Sequence, residues 1–177
     1  MYCLFFDVLP KPGHMDHYFD HVARLKPVLA EHQGLLFLDR YRPLDDADAL
    51  LSHQLWADEL AIAKWRADAT HRASQSAGRK IHFESYRIRV GEEVAQDPSS
   101  FETGRFLLAA YGSAPATLSG ARSYESVNNA GRFVTLASHD HLGAAARAAA
   151  ASGAGETRLF RILRDYTMTD RAEAPQP

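Results

Sequence analysis

The chain has 177 residues, of which 46% are hydrophobic and 24% are charged. These proportions are typical of a globular protein, and they exclude wholesale disorder, collagen-like repeats and disulfide scaffolds. Twenty Lys and Arg against 22 Asp and Glu give a formal net charge of −2, which disfavours nucleic acid and anionic membranes as partners. No apolar run is long enough to span a bilayer, and the apolar start MYCLFFDVLPKPG lacks the basic segment of a signal peptide. We therefore expect a cytoplasmic protein.

The first half of the chain predicts the element order β-α-β-β-α-β. Helical spacing of Tyr18, Val22 and Leu25 indicates a first helix that Gly34 ends. Strands are predicted at 2–9, 35–42, 50–57 and 81–90, and helices at 14–32 and 58–69, the second continuing as a helical turn or short helix over 70–80.

The second half repeats this pattern in reduced form. LLAAYGSAP (107–115) resembles LFFDVLPKP (4–12), and ASHDHL (137–142) resembles LWADEL (55–60). Strands are predicted at 105–112, 121–127, 132–139 and 156–168, and an Ala-rich helix at 140–152, while a loop over 113–120 replaces the first helix.

Two weak copies of one unit predict an α+β fold. Each ferredoxin-like unit packs its helices on one sheet face, so the other face needs a partner. We therefore expect tandem ferredoxin-like β-α-β-β-α-β units that form a pseudo-dimeric α/β barrel, with the second unit degenerate. The expected limits are a first domain over 1–92, a linker over 93–103, a second domain over 104–169 and a disordered tail over 170–177.

Asp7 is a carboxylate within an otherwise apolar strand. Burying it is costly unless it is paired, so it is a candidate general base. The alternative is that the strand end is solvated, or that Asp7 forms an ion pair with Arg40 or Arg87 of neighbouring strands.

Trp65 and His71 are six residues apart on a helix that we expect to continue past Ala69. Both could then flank one pocket between helix and sheet. The alternative is that Trp65 packs in the core and His71 lies at a surface bend.

Several other polar residues are weaker candidates. His14, His17 and His21 share a face of the first helix in a spacing that metal ligands use, but such sites usually need ligands from another element. We therefore interpret them as a solvated helix face and predict no metal. Asp140, between His139 and His141, is interpreted as a helix entry, and Cys3 as a buried thiol without nucleophilic character.

Three segments together carry a family resemblance: GLLFLDRYR, LLSHQLWADELAIAKWRADATHRASQSAGR and FESYRIRV. Over about residues 2–92 the chain resembles the antibiotic biosynthesis monooxygenase family of dimeric ferredoxin-like α/β-barrel proteins. The resemblance implies oxidation of a small aromatic or quinol-like compound with O2, without metal or organic cofactor, in an apolar pocket of the first half. A non-catalytic small-molecule-binding or stress-response protein of the same fold is the alternative.

The resemblance also implies roles for particular side chains. The expected catalytic residues are Asp7, Trp65 and His71, of which Asp7 or His71 would remove the substrate's proton. Expected substrate contacts, some of which would stabilise the resulting anion, are Arg40, His53, Gln75, Tyr86 and Arg87.

A haem-degrading branch of the family offers a third, weaker possibility. That branch uses an Asn on strand one, a Trp on the second helix and a haem-ligating His ten residues after that Trp. Asp7, Trp65 and Gln75 stand at these positions here. The missing axial ligand disfavours haem binding.

The second copy lacks the side chains that mark the first. At the repeat offset Trp65 aligns with Arg147, and His71 with Gly153. We therefore expect one functional pocket in the first half, with the second half as an internal partner. A homodimer is also possible, through an apolar ridge on the last strand formed by Leu159, Phe160, Ile162 and Leu163.

Overall fold

The structure, a computed structural model, describes residues 1–175. Its first half contains β1 Tyr2–Pro10, α1 Met15–Ala30, β2 Leu35–Pro43, β3 Leu50–Trp56, α2 Glu59–Ala67, α3 Ala69–Ala77, a π-helical turn Gly78–His82 and β4 Phe83–Val94. Its second half contains β5 Thr103–Gly112, β6 Arg122–Ser126, β7 Phe133–His141, α4 Leu142–Ala151 and β8 Glu156–Thr167. Within residues 1–175, no helix has the length and apolar character needed to cross a membrane. The elements follow the predicted order.

All eight strands lie in one closed antiparallel barrel, in the order β1-β3-β2-β6-β7-β5-β8-β4. Each half has the same internal order, β4-β1-β3-β2 and β8-β5-β7-β6, as two copies of one unit require. Two seams join the halves: a long one between β4 and β8, and a short one between β2 and β6. Because each half covers the other's free edges, the predicted pseudo-dimeric barrel is confirmed.

Side chains of β1 alternate between the barrel interior and its outer face. Cys3 and Phe5 point inward and are fully buried. Leu4 points outward and packs in a cluster with Trp65 of α2 and Leu29 of α1. Burial raises the pKa of the Cys3 thiol, in keeping with an unreactive side chain.

Of the four residues in the ridge predicted for a homodimer, only Leu163 reaches the surface, at 36% exposed. Leu159 and Phe160 of β8 are fully buried, and Ile162 is 8% exposed. Strand β8 pairs with β5 on one edge and β4 on the other. Phe160 and Ile162 lie inside the barrel, and Leu159 packs against α4, so the predicted residues form no continuous apolar ridge at the surface.

The helix that was expected to continue past Ala69 is interrupted. Asp68 has non-helical dihedral angles (φ −58°, ψ 133°), and its carboxylate accepts a hydrogen bond from the His71 backbone N–H at 2.9 Å. Such a side-chain cap starts a new helix. Trp65 and His71 consequently lie on two separate helices, α2 and α3.

The C-terminal segment, which was expected to be disordered, folds back onto the barrel. Glu173 accepts a hydrogen bond from Arg105 at 2.9 Å, and Arg171 donates one to the Tyr86 hydroxyl at 2.7 Å. Ala174 is only 9% exposed. Residues 170–175 are thus docked by ionic and polar contacts, while residues 176 and 177 lie outside the described residues.

A buried polar network reinforces the short β2–β6 seam, which has only three residue pairs in register. Asp39 of β2 is 4% exposed. Its carboxylate accepts hydrogen bonds from the Ser126 hydroxyl at 2.8 Å and from the Asn128 side-chain amide at 3.0 Å. The network therefore fastens the first half to the second where backbone pairing is weakest.

We expect Asp39→Ala to lower the free energy of unfolding by about 1–3 kcal/mol, because it leaves buried donors without their acceptor. Urea denaturation measures this loss. The matched control is Asp48→Ala at an exposed carboxylate of the β2–β3 loop, for which we expect a change within about 0.5 kcal/mol. Equal effects of the two substitutions would contradict the role assigned to the network.

Candidate functional site

A cavity of about 630 Å³ opens at the end of the barrel where β1 and β8 finish and β4 and β6 begin. We call it the Asp7 cavity. Its volume lies within the range of about 300–1,000 Å³ that small-molecule sites occupy. The first half supplies polar lining residues Asp7, Asp46, Glu84, Arg87 and Arg89, and the second half supplies Arg122, Tyr124, Ser138 and Thr167. The cavity thus lies between the two halves, whereas a pocket in the first half alone was expected.

Asp7 is held at the cavity wall by one residue from each half. Its Oδ2 lies 2.8 Å from Nη2 of Arg89, and its Oδ1 accepts a hydrogen bond from the Tyr124 hydroxyl at 3.1 Å. The Arg89 side chain is 8% exposed and that of Asp7 is 21% exposed. A nearly buried guanidinium therefore compensates the charge of a carboxylate that still reaches the cavity.

The Tyr124 phenol is a hydrogen-bond donor at neutral pH. Burial and the negative charge of Asp7 both favour the neutral phenol, raising the pKa of Tyr124 to about 12. Arg122 lies over the same ring, 5.6 Å from its centroid. The second half thus contributes both a fixed donor and a cation to the wall.

Two of the cationic lining residues have acidic partners outside the cavity wall. Arg87 forms a bidentate pair with Asp165 of β8, and Arg122 bonds Asp45 at 2.9 Å. The Arg87 and Arg122 side chains remain 50% and 39% exposed. The cavity therefore presents two exposed guanidinium groups beside the Asp7 carboxylate, each already paired with a carboxylate.

Three of the eight predicted site residues line this cavity: Asp7, Tyr86 and Arg87. Asp7 is paired as one alternative anticipated, but with Arg89 and not with Arg40 or Arg87. Tyr86 is mostly buried and accepts a hydrogen bond from Arg171. The sequence thus identified lining residues on β1 and β4, on the first-half side of the cavity.

Trp65 and His71 lie together, but on the outer side of the sheet. Their rings stack with centroids 4.1 Å apart and planes 14° apart. His71 Nδ1 lies 3.0 Å from the Trp65 carbonyl oxygen, which can only accept, so Nδ1 carries the proton. Trp65 is 3% exposed within the helix–sheet core. The two rings do not share the Asp7 cavity, although one common cavity was expected.

Burial also determines the protonation state of His71. It lowers the pKa of His71 to about 4, against the opposing hydrogen bond to the Trp65 carbonyl. The imidazole is therefore neutral at physiological pH and retains Nε2 as a possible acceptor.

The remaining predicted contacts lie apart from the cavity. His53 of β3 is fully buried inside the barrel, stacked on Phe5 at 4.2 Å between ring centroids, with Nε2 2.7 Å from the Tyr111 hydroxyl. Gln75 lies half-buried on α3, and Arg40 lies on β2 opposite Ser52. None of these three lines the Asp7 cavity.

Sequence reasoning missed Arg89, Tyr124 and Arg122. A signal for Arg89 exists, because strand alternation puts it on the same face as Arg87 and so beside Asp7. Tyr124 has no comparable signal, since it meets Asp7 only after the distant second half closes the barrel.

A second cavity of about 410 Å³ lies between the loop Pro98–Phe101 and α4. His141, Ala144 and Arg147 complete its lining, which contains no carboxylate. Of these two cavities, only the Asp7 cavity combines acidic, cationic and phenolic groups.

The closed barrel and the cavity between its halves define a pseudo-dimeric α/β-barrel protein. Residues 1–77 match the family model described as antibiotic biosynthesis monooxygenase. The first half of the chain is therefore similar to the antibiotic biosynthesis monooxygenase family.

Two curated relatives show similarity to part of the chain. Jasmonate monooxygenase ABM of Pyricularia oryzae is 35% identical over 95 residues, which are 54% of this chain and 44% of that protein. The uncharacterized protein YqjZ of Bacillus subtilis is 29% identical over 75 residues, 42% of this chain and 64% of that protein. The matched region thus covers less than two thirds of either relative.

Solved structures of low sequence identity were also compared. PA3566 from Pseudomonas aeruginosa is 18% identical, with a TM-score of 0.47 over 53% of this chain and 94% of that chain. An anthrone oxidase-like protein is 12% identical, with a TM-score of 0.43 over 99% and 96% of the two chains.

The buried histidines predict a loss of stability in acid. Burial lowers the pKa of His53 from its ordinary 6.5 to about 3. Between these two pKa values the unfolded chain binds a proton at His53 and the folded protein does not. The free energy of unfolding is therefore highest above about pH 6.5 and decreases as pH falls toward about 3. We expect the thermal midpoint of His53→Gln to fall less than that of the wild type between about pH 7 and pH 4.5.

The control for this experiment is His141→Gln, at an exposed histidine. We expect this variant to follow the wild-type pH dependence. Parallel curves for His53→Gln and the wild type would show that His53 does not contribute to the acid sensitivity.

Proposed function

We propose that this protein is a monooxygenase that oxidises a small aromatic, quinol-like compound with O2 in the Asp7 cavity, without an organic cofactor. The observation that carries the proposal is the Asp7 carboxylate, which borders a cavity of suitable size beside accessible arginines. The match of residues 1–77 to the antibiotic biosynthesis monooxygenase family model supports the reaction class.

The first step is removal of an acidic substrate proton by Asp7. Arg122 and Arg87 then stabilise the negative charge that develops on the substrate, because both cations border the same cavity. Tyr124 keeps Asp7 in place through its hydrogen bond to Oδ1. Since Tyr124 and Arg122 belong to the second half, both halves would serve the reaction.

The oxidation itself uses the electrons of the substrate anion. The anion transfers one electron to O2, and the resulting radical and superoxide combine to a peroxide. For a methylene carbon between aromatic rings, breaking the O–O bond leaves one oxygen atom as a carbonyl. The other oxygen leaves as water with the two hydrogens of that carbon, so no external reductant is needed.

A second candidate is binding of the same ligands without turnover. The ion pair between Asp7 and Arg89 favours it, because a carboxylate engaged in two contacts is less free to accept a proton. Haem degradation receives no such support, since Gln75 stands where that branch has its axial histidine and Trp65 is packed in the core.

Oxygen uptake with a panel of anthrone, hydroquinone and jasmonate tests the proposal. Jasmonate is included because one relative is named a jasmonate monooxygenase. We expect turnover of anthrone or hydroquinone, and a loss of about 100-fold or more in kcat/KM for Asp7→Asn, which removes the base. Turnover of jasmonate alone would contradict an aromatic substrate. Asp140→Asn, at an exposed carboxylate, should retain wild-type activity.

Trp65→Phe and His71→Ala complete the set. Turnover that survives Asp7→Asn but is lost in these two variants would move the chemistry to the outer face of the sheet. Ligand binding without oxygen uptake by the wild type would support the binding protein instead. Circular dichroism of each variant verifies that the fold is intact.

A further inference from the structure

Three histidines from two separate elements converge on the outer face of α1. His14 precedes the helix, His17 lies in its first turns, and His82 ends the π-helical turn before β4. Each offers one ring nitrogen, and these atoms all lie within 4.8 Å of one another. His82 is thus the ligand from a second structural element that zinc sites usually require. Its proximity to His14 and His17 could not be predicted from sequence spacing, because 65 or more residues separate it from them.

The backbone fixes this approach. The backbone N–H of Lys11 donates to the His82 carbonyl at 2.9 Å, and the backbone N–H of His14 donates to the Lys11 carbonyl at 2.9 Å. Gly13, at φ +79°, permits the tight turn between these two bonds. The Cα atoms of His14 and His82 are therefore held in place independently of their side chains.

Contacts of the imidazole rings leave ligand atoms available. The Nδ1 atoms of His14 and His82 are 3.0 Å apart, and the ring centroids of His17 and His82 are 4.9 Å apart. Nδ1 of His17 lies 4.0 Å from Oδ2 of Asp20. This separation is too long for a hydrogen bond, so Asp20 does not occupy a ring nitrogen of His17.

A fourth histidine borders this cluster. His21 follows His17 by one helical turn, and its ring centroid is 5.5 Å from that of His82. Its Nδ1 is 3.1 Å from the Ser74 hydroxyl of α3. His21 therefore flanks the three-histidine cluster without belonging to it.

We propose that His14, His17 and His82 bind a divalent transition-metal ion, with Zn²⁺ as the best match. Three neutral imidazoles suit Zn²⁺ and its borderline neighbours, whereas Mg²⁺ and Ca²⁺ prefer oxygen ligands. With Zn–N distances of about 2.0–2.1 Å, tetrahedral ligand atoms lie about 3.3 Å apart. The Nδ1 atoms of His14 and His82, 3.0 Å apart, are already near this spacing, so binding would mainly require rotation of the exposed His17 side chain.

The site is independent of the proposed oxidation. None of the four histidines lines the Asp7 cavity. The metal would tie the start of α1 to the segment before β4, two parts that belong to the same end of the barrel. We therefore expect it to stabilise this end and not to take part in chemistry at Asp7.

Isothermal titration of untagged protein with ZnCl₂ tests the proposal. We expect one Zn²⁺ per chain for the wild type, with a rise in thermal midpoint on binding. His17→Ala should weaken binding by about 100-fold or more and abolish that rise, because it removes one of three ligands. His141→Ala, at an exposed histidine outside the cluster, should bind as the wild type does.

His82→Ala gives a second, independent loss of a ligand. The Lys11 bond is to the His82 backbone carbonyl, so the substitution leaves this link in place. Absence of binding by the wild type, or binding that neither His17→Ala nor His82→Ala weakens, would overturn the proposal.

Discussion

Closure of the barrel is the constraint on which the remaining structure depends. Each half alone would expose one sheet face and two strand edges, and the two seams remove both kinds of surface at once. Closure also determines where the inward-facing side chains of β1 lie. Cys3 and Phe5 are in the barrel core, and Asp7, two residues further along the strand, lies at the open end of the barrel. The same closure brings Tyr124 to Asp7, although 117 residues separate them.

Much of the fold could be predicted because its signals are local. Apolar runs and turn residues located every strand, and the loop over 113–120 revealed the helix that the second half lacks. The break at Asp68 was missed, since helix formers continue on both sides of it and only the capping bond to the His71 N–H reveals it. The packed β8 was misjudged because an apolar strand at a surface edge and one inside a barrel have the same sequence pattern.

The candidate site was harder to predict, because its contacts join distant parts of the chain. Asp7 was identified because burying a carboxylate in an apolar strand costs free energy. Its contacts with Arg89 and Tyr124 depend on the register of the strands and on closure of the barrel, which the sequence does not show. The rings of Trp65 and His71 do stack, but they lie on the opposite side of the sheet from Asp7. The helices pack on the outer face of the barrel, whereas Asp7 points to its interior. The sequence spacing of Trp65 and His71 does not reveal that they and Asp7 lie on opposite faces of the sheet.

The central claim is that the two halves form one ligand site at Asp7. The most direct test is equilibrium binding of an anthraquinone product, measured by fluorescence, to the wild type and to Arg122→Ala, a change confined to the second half. We expect at least about 10-fold weaker binding for Arg122→Ala, and unchanged binding for Arg105→Ala, which lies outside the cavity. Product binding that is unaffected by Arg122→Ala and lost in Trp65→Phe would show that the ligand does not bind between the two halves.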